Sequence, residues 1–163
     1  PSLAPFRVLG RSLVELHVAS QRPPDGQVLD LAPAALQEML CLRVLSVSNN
    51  QLHDITPLAH LRALETLDAS KNRIESVASV APALSSCAVL RELDLRDNPI
   101  SAKRQMLDAV IVGGQGLQVL NGRTLTASER PYLEQLLRRG AKQEIAFHLG
   151  LDAVQPPGAQ GAA

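Results

Sequence analysis

Leucine and polar positions recur along this chain in one nine-residue phrase: Leu42-Arg-Val-Leu45-Ser-Val47-Ser-Asn-Asn50, Leu64-Glu-Thr-Leu67-Asp-Ala69-Ser-Lys-Asn72 and Leu90-Arg-Glu-Leu93-Asp-Leu95-Arg-Asp-Asn98. The phrase returns after 22 and then 26 residues, the sign of a solenoid built from stacked units. Upstream, Leu13-Val-Glu-Leu16-His-Val18-Ala-Ser-Gln21 fits the same template with Gln in the Asn slot. A turn-rich insertion, Arg22-Pro-Pro-Asp-Gly26, lengthens that unit to 29 residues.

Each phrase predicts a short strand whose alternation turns Leu67 and Ala69 inward and Thr66, Asp68 and Ser70 outward onto a concave face. Ile55, Leu58 and Leu61, and likewise Ile74, Val77 and Val80, are expected to fill the core from the convex side. The segment Asp30 to Leu40 predicts a convex helix with Pro33 in its first turn. A single unit buries too little apolar surface to offset its ordering entropy, so neighbours must stack. The fold class expected is an α/β solenoid, right-handed, with a parallel concave sheet, a helical or irregular convex side and a C-terminal helical cap.

Asn50, Asn72 and Asn98 recur in register. Asn as a turn marker explains one occurrence, whereas a ladder of buried amides that satisfies backbone groups at each bend explains all three. Leu117-Gln-Val-Leu120 begins a fifth unit that Gly122 breaks. Thr126-Ala-Ser-Glu129 follows as a capping box for a helix with Leu133, Leu136 and Leu137 on its apolar stripe. Pro131 falls at the fifth position of that helix and is expected to cost a backbone bond. The domain plan is residues 1–12 as an incomplete or partner-covered N-terminal edge, 13–125 as repeats, 126–150 as the cap helix and 151–163 as a disordered tail. An uncovered first strand predicts either that further repeats precede residue 1 or that a partner covers the edge.

Composition narrows the chemistry. Lys and Arg number 16, as do Asp and Glu, and only Phe6, Tyr132 and Phe147 are aromatic, which disfavours direct nucleic-acid binding and base stacking. No apolar run reaches the ~18 residues of a membrane helix. Cys41 and Cys87 stand just before repeat leucines without metal-ligand spacing, and both are read as buried free thiols in a reducing compartment. His17, His53, His60 and His148 are too scattered for a metal site. Asp68 and Asp94 fall at equivalent positions of successive strands. As a pair they suit acid–base work, but an open face without a closed pocket favours a solvated acidic stripe balanced by Lys71, Arg96 and Arg123. Gly113-Gly-Gln-Gly116 has no following Lys-Ser/Thr and reads as a loop.

The spacing, Asn98-Pro99-Ile100 after the last full unit and Leu120-Asn-Gly-Arg-Thr-Leu-Thr-Ala-Ser-Glu-Arg130 together resemble the short intracellular leucine-rich repeat family with its C-terminal cap motif. Within it the chain resembles regulatory subunits of type-1 protein phosphatase and ciliary and axonemal proteins. That resemblance implies a cofactor-free, non-enzymatic adaptor in the cytoplasm or cytoskeleton, at a cilium, flagellum, centrosome or basal body. Alternatives it carries are a phosphatase regulator and a spliceosomal-type protein partner. The phosphatase-docking pattern Arg/Lys-Val-x-Phe is absent, since Arg7-Val-Leu-Gly and Arg43-Val-Leu-Ser lack the Phe. The expected protein-binding positions are Glu15, His17, Ser46, Ser48, Asp68, Ser70, Glu92, Asp94 and Arg96 on the concave face, with no catalytic or metal residue, no membrane partner and membership of a larger complex.

Overall fold

A computed structural model describes residues 2–21 and 28–140. The four repeat phrases form strands at Glu15–His17 (β1), Val44–Ser46 (β2), Thr66–Asp68 (β3) and Glu92–Asp94 (β4). Val119–Leu120 (β5) and Arg123–Thr124 (β6) complete one sheet in the order β1-β2-β3-β4-β5-β6. Pairing is parallel from β1 to β5, so each connection must cross behind the sheet before the next strand is laid down. The strands are short because each unit turns away after its Leu-x-Leu.

The crossovers are 3-10 helices at Thr56–His60, Val77–Ser79 and Pro99–Ala102 and α-helices at Pro33–Leu36 (α1), Ala81–Ser86 (α2) and Arg104–Gly113 (α3). The expected convex helix is thus reduced to one turn, with Pro33 at its start, where a missing N–H is harmless. Ile55, Leu58, Leu61, Ile74, Val77 and Val80 are all buried, as are Leu45, Leu67 and Leu93 from the strands. Strand leucines and crossover residues form one continuous aliphatic core.

The ladder holds the bends. Asn50 Nδ2 donates to the carbonyls of Val18 and Val47, and its Oδ1 accepts the Gln21 N–H. Asn72 repeats the pattern on Val47 and Ala69 while accepting from Asn50 and Leu52, and Asn98 does so on Ala69 and Leu95 while accepting from Ile74. All three amides are buried. Gln21, one methylene longer, remains exposed and donates instead to Ala19 O, so the ladder stops there.

Three expectations need correction. Cys87 is buried, with its thiol against the Leu58 and Leu61 carbonyls, but Cys41 is exposed. Cys87 stands three residues before its strand leucine, the inward slot that Met39 and Leu61 fill in other units; Cys41 stands one before, a slot that faces out. The cap helix (α4) starts at Glu129 rather than Ala127, and runs to Gly140. Pro131 therefore sits in the first turn, where its N–H would have no intrahelical partner, and costs no bond. Finally, Leu133 is buried but Leu136 is exposed, so the apolar stripe is narrower than expected. The Leu137 side chain, the insertion at 22–27 and everything from 141 onward, including the rest of the cap and the proposed tail, lie outside the described residues.

Candidate protein-binding face

Strand register builds the open face from the sequence upward. The pairings align Glu15, Val44, Thr66, Glu92 and Val119 in one row across five strands. They align His17, Ser46, Asp68 and Asp94 in a second. Beyond the strand ends, Lys71 N–H to Arg96 O and Asn49 N–H to Ser70 O keep the next positions in step, so Ser48, Ser70 and Arg96 form a third row. All nine sequence-predicted residues thus fall on one surface.

They are not equally available. Ser46 is only 7% exposed, and its hydroxyl is committed to Asp68 Oδ2 at 2.9 Å. Asp68 Oδ1 accepts the Ser70 hydroxyl at 2.6 Å and the Ser70 N–H at 3.0 Å. Partial burial pushes the Asp68 carboxyl up, but hydrogen bonds from Ser70, Ser46 and Ser48 outweigh it and hold the acid below its ordinary value. Ser46 is therefore a support for Asp68 rather than a contact of its own. Asp94 accepts the Arg96 N–H and faces the Arg96 guanidinium side by side. His17 meets Glu15 at 2.6 Å on β1, and Arg43 meets Glu65 at 2.9 Å.

The charge balance differs from the expected one in one respect. Arg96 does offset the acidic stripe, but Arg123 turns away to grip Glu129 of α4 through both terminal guanidinium nitrogens. Lys71 stands at the ladder end of the face, beside a shallow cavity of about 560 Å³ lined also by Ser70, Arg96, Asp97, Ser101 and Asn121. Val44 and Val119, absent from the expected set, give the first row apolar contact points, Val44 between Glu15 and Thr66 and Val119 beyond Glu92. Their place in the phrase, equivalent to Glu15 and Thr66, is the signal that identifies them.

Acid–base work needs a carboxyl poised near neutral pH. Asp68 is shifted the other way and Asp94 is paired with a guanidinium, so the two form a fixed anionic array. Such an array, with serine hydroxyls and aliphatic contacts around it, suits recognition of a complementary surface. Among the described residues no three His, Cys, Asp or Glu side chains come together to hold a metal ion, and no helix is long and apolar enough to cross a membrane.

The repeats have relatives. Residues 41–86 match the family model for leucine-rich repeats, in two copies. The leucine-rich repeat- and IQ domain-containing protein 1 of Mus musculus is 36% identical over 94 residues, 58% of this chain and 6% of the relative. Its counterpart in Homo sapiens is 31% identical over 106 residues, 65% of this chain and again 6% of the relative. The chain thus spans 6% of the length of these two proteins. Among solved structures, one from the SNF/U2A′ complex of Drosophila melanogaster superposes with a TM-score of 0.63 at 14% identity, covering 90% of this chain and 98% of that one. That likeness shows the fold.

Proposed function

We propose that this chain, a leucine-rich repeat interaction domain, is a non-enzymatic scaffold that binds a protein partner across its open strand face. The observation that carries the reading is Asp68: a carboxylate on the sheet, kept charged by Ser46 and Ser70, next to the Asp94–Arg96 pair and level with Val44 and Val119 in the adjoining row. Rigid donors and acceptors on strands give specificity at small entropic cost on binding. Reversing both carboxylates, Asp68→Lys with Asp94→Lys, is expected to abolish capture of the partner while the far-ultraviolet dichroism stays unchanged. Retained capture would move the site off this face.

The place of such a scaffold is a ciliary, flagellar or centrosomal assembly of the cytoskeleton, supported by the resemblance of the repeats and cap motif to ciliary and axonemal proteins. A type-1 phosphatase regulator is the second reading, supported by the same motifs. Adding the chain to the phosphatase catalytic subunit separates the two: a scaffold leaves turnover of a phosphopeptide unchanged, and a regulator alters it.

A further inference from the structure

The backbone row at the strand exits runs out of acceptors where the repeats stop. At the eighth place of each phrase the N–H reaches a carbonyl of the next unit: Ser20 donates to Ser48, Asn49 to Ser70 and Lys71 to Arg96. Asp97 holds that place in the last full phrase, and the hairpin at Asn121-Gly122 takes the chain away before a carbonyl can stand opposite it. Among the described residues the Asp97 N–H has no acceptor. By the same geometry it is aimed from β4 toward β5, into the cavity of about 560 Å³ lined by Ser70, Lys71, Arg96, Asp97, Ser101 and Asn121. The other polar groups of that lining are also donors in excess. The Ser70 and Ser101 hydroxyl hydrogens are given to Asp68 Oδ1 and Leu95 O, each at 2.6 Å. Asn121 accepts the Leu95 N–H through Oδ1 at 2.7 Å, which leaves its Nδ2 hydrogens for the cavity. Lys71, unlike Arg96, is in no ion pair among the described residues. Asp97 also brings a carboxylate, and the Arg96 guanidinium stands near enough to feel its charge.

We propose that this cavity binds a carboxylate and that, in the complex, it takes an acidic side chain of the protein partner; the second half rests on the reading of the open face as the partner's seat. A carboxylate only accepts hydrogen bonds and has lone pairs for all three open donors, the Asp97 N–H, Asn121 Nδ2 and Lys71 Nζ. It stands where a further repeat would have offered Asp97 a carbonyl, and it gives Lys71 a counter-charge. A carboxamide of the same shape would bring two more donors into a space that already has too many. The location adds direction to the face. Asp68 and Asp94 call for cations over the strands, whereas the cavity calls for an anion three residues, ~10 Å, further along them. A partner that meets both demands carries its basic and acidic side chains in a fixed order along the strands, and so seats one way round.

Titration of the isotope-labelled full chain with N-acetylglutamic acid α-amide, at constant ionic strength and read by amide chemical shifts, tests the cavity, with N-acetylglutamine α-amide as the neutral isostere. The Asp97 N–H and the Asn121 side-chain amide are expected to shift saturably with the acid and not with the isostere. Lys71→Asn keeps a residue that accepts a φ of 56°, as Asn49 does at 57° in the preceding unit. It is expected to weaken binding about threefold, the worth of an exposed ion pair. Asp97→Asn removes the opposing carboxylate and is expected to tighten binding by a similar factor. Equal shifts with the two compounds, no saturable shift at Asp97, or binding indifferent to Lys71→Asn overturns the proposal. Capture of the partner is likewise expected to weaken with Lys71→Asn. Capture that is lost on reversing Asp68 and Asp94 but unaffected by Lys71→Asn overturns the partner's carboxylate and leaves the open face standing as its seat.

Discussion

Asn72 concentrates the logic of the fold in one amide. Its Nδ2 donates to Val47 and Ala69 carbonyls in two successive repeats, and its Oδ1 accepts from the Asn50 and Leu52 backbone. Truncation strands several buried backbone groups at once, each at a cost of about 1–3 kcal/mol. Asn72→Ala is therefore expected to destabilise the protein by more than 1 kcal/mol, read as a lower urea midpoint with an unchanged slope. The thiols separate in the same residue-level way. Burial pushes the Cys87 thiol up to about 11, which keeps it protonated and unreactive, whereas Cys41 is open to solvent. Ellman's reagent at pH 8 is expected to label one thiol per native chain, at Cys41, and both after denaturation. The ladder was legible because three asparagines shared a register; the two cysteines were misjudged together because their neighbours are alike, and only the offset from the strand leucine tells them apart.

At the scale of elements, the end of the solenoid is where pattern and structure diverge. Asn121-Gly122 interrupts the fifth phrase, and the interruption is a hairpin: φ is 55° at Asn121 and 76° at Gly122, both left-handed, and β6 turns back antiparallel on β5. Asn-Gly between strand residues carries that turn signal, but the repeat template masked it. The Asn121 side chain also accepts the Leu95 N–H, the place that the Asp68 and Asp94 carbonyls fill for Val47 and Ala69 in the preceding units. Gly116 in the preceding loop has its own steric reason, because a Cβ there would stand 2.7 Å from the Ala88 carbonyl oxygen.

The cap is then fastened by charge. Arg130 donates to the carbonyls of Ile111, Gly114 and Leu117 at the end of α3, and Arg123 grips Glu129. Glu129 also accepts the Thr126 N–H at 3.4 Å, one turn ahead of the helix it opens. The Arg123 hydrogen bond holds the Glu129 carboxyl below its ordinary value, against a smaller opposing effect of burial. A lowered acid stabilises the folded state above its unfolded pKa and loses that contribution as pH falls through the folded one. Tyr132 is the chain's lone tyrosine and there is no tryptophan, so intrinsic fluorescence reports on α4. Acid titration is expected to shift the Tyr132 signal below the ordinary glutamate range, and Arg123→Met to reduce that dependence.

For the whole molecule, stacking converts one phrase into rows. Residues 22 to 29 apart in sequence become neighbours across the sheet, and their outward side chains fuse into a single surface of carboxylates, hydroxyls, Arg96 and the two valines. The carboxylates, hydroxyls and Arg96 of that surface were legible from alternation, whereas Val44 and Val119, equivalent in position to Glu15 and Thr66, were passed over. Its internal commitments were not legible, since the burial of Ser46 and the departure of Arg123 to α4 depend on contacts between units that no single phrase encodes. The most direct test of the binding face is photo-cross-linking in extracts of ciliated cells, with a photoreactive phenylalanine placed at Thr66 on β3 or at exposed Arg62 after the Thr56–His60 crossover. Covalent adducts from position 66, lost when Asp68 and Asp94 are reversed, and none from position 62 are the expected result. Adducts from position 62 with none from position 66 would contradict it.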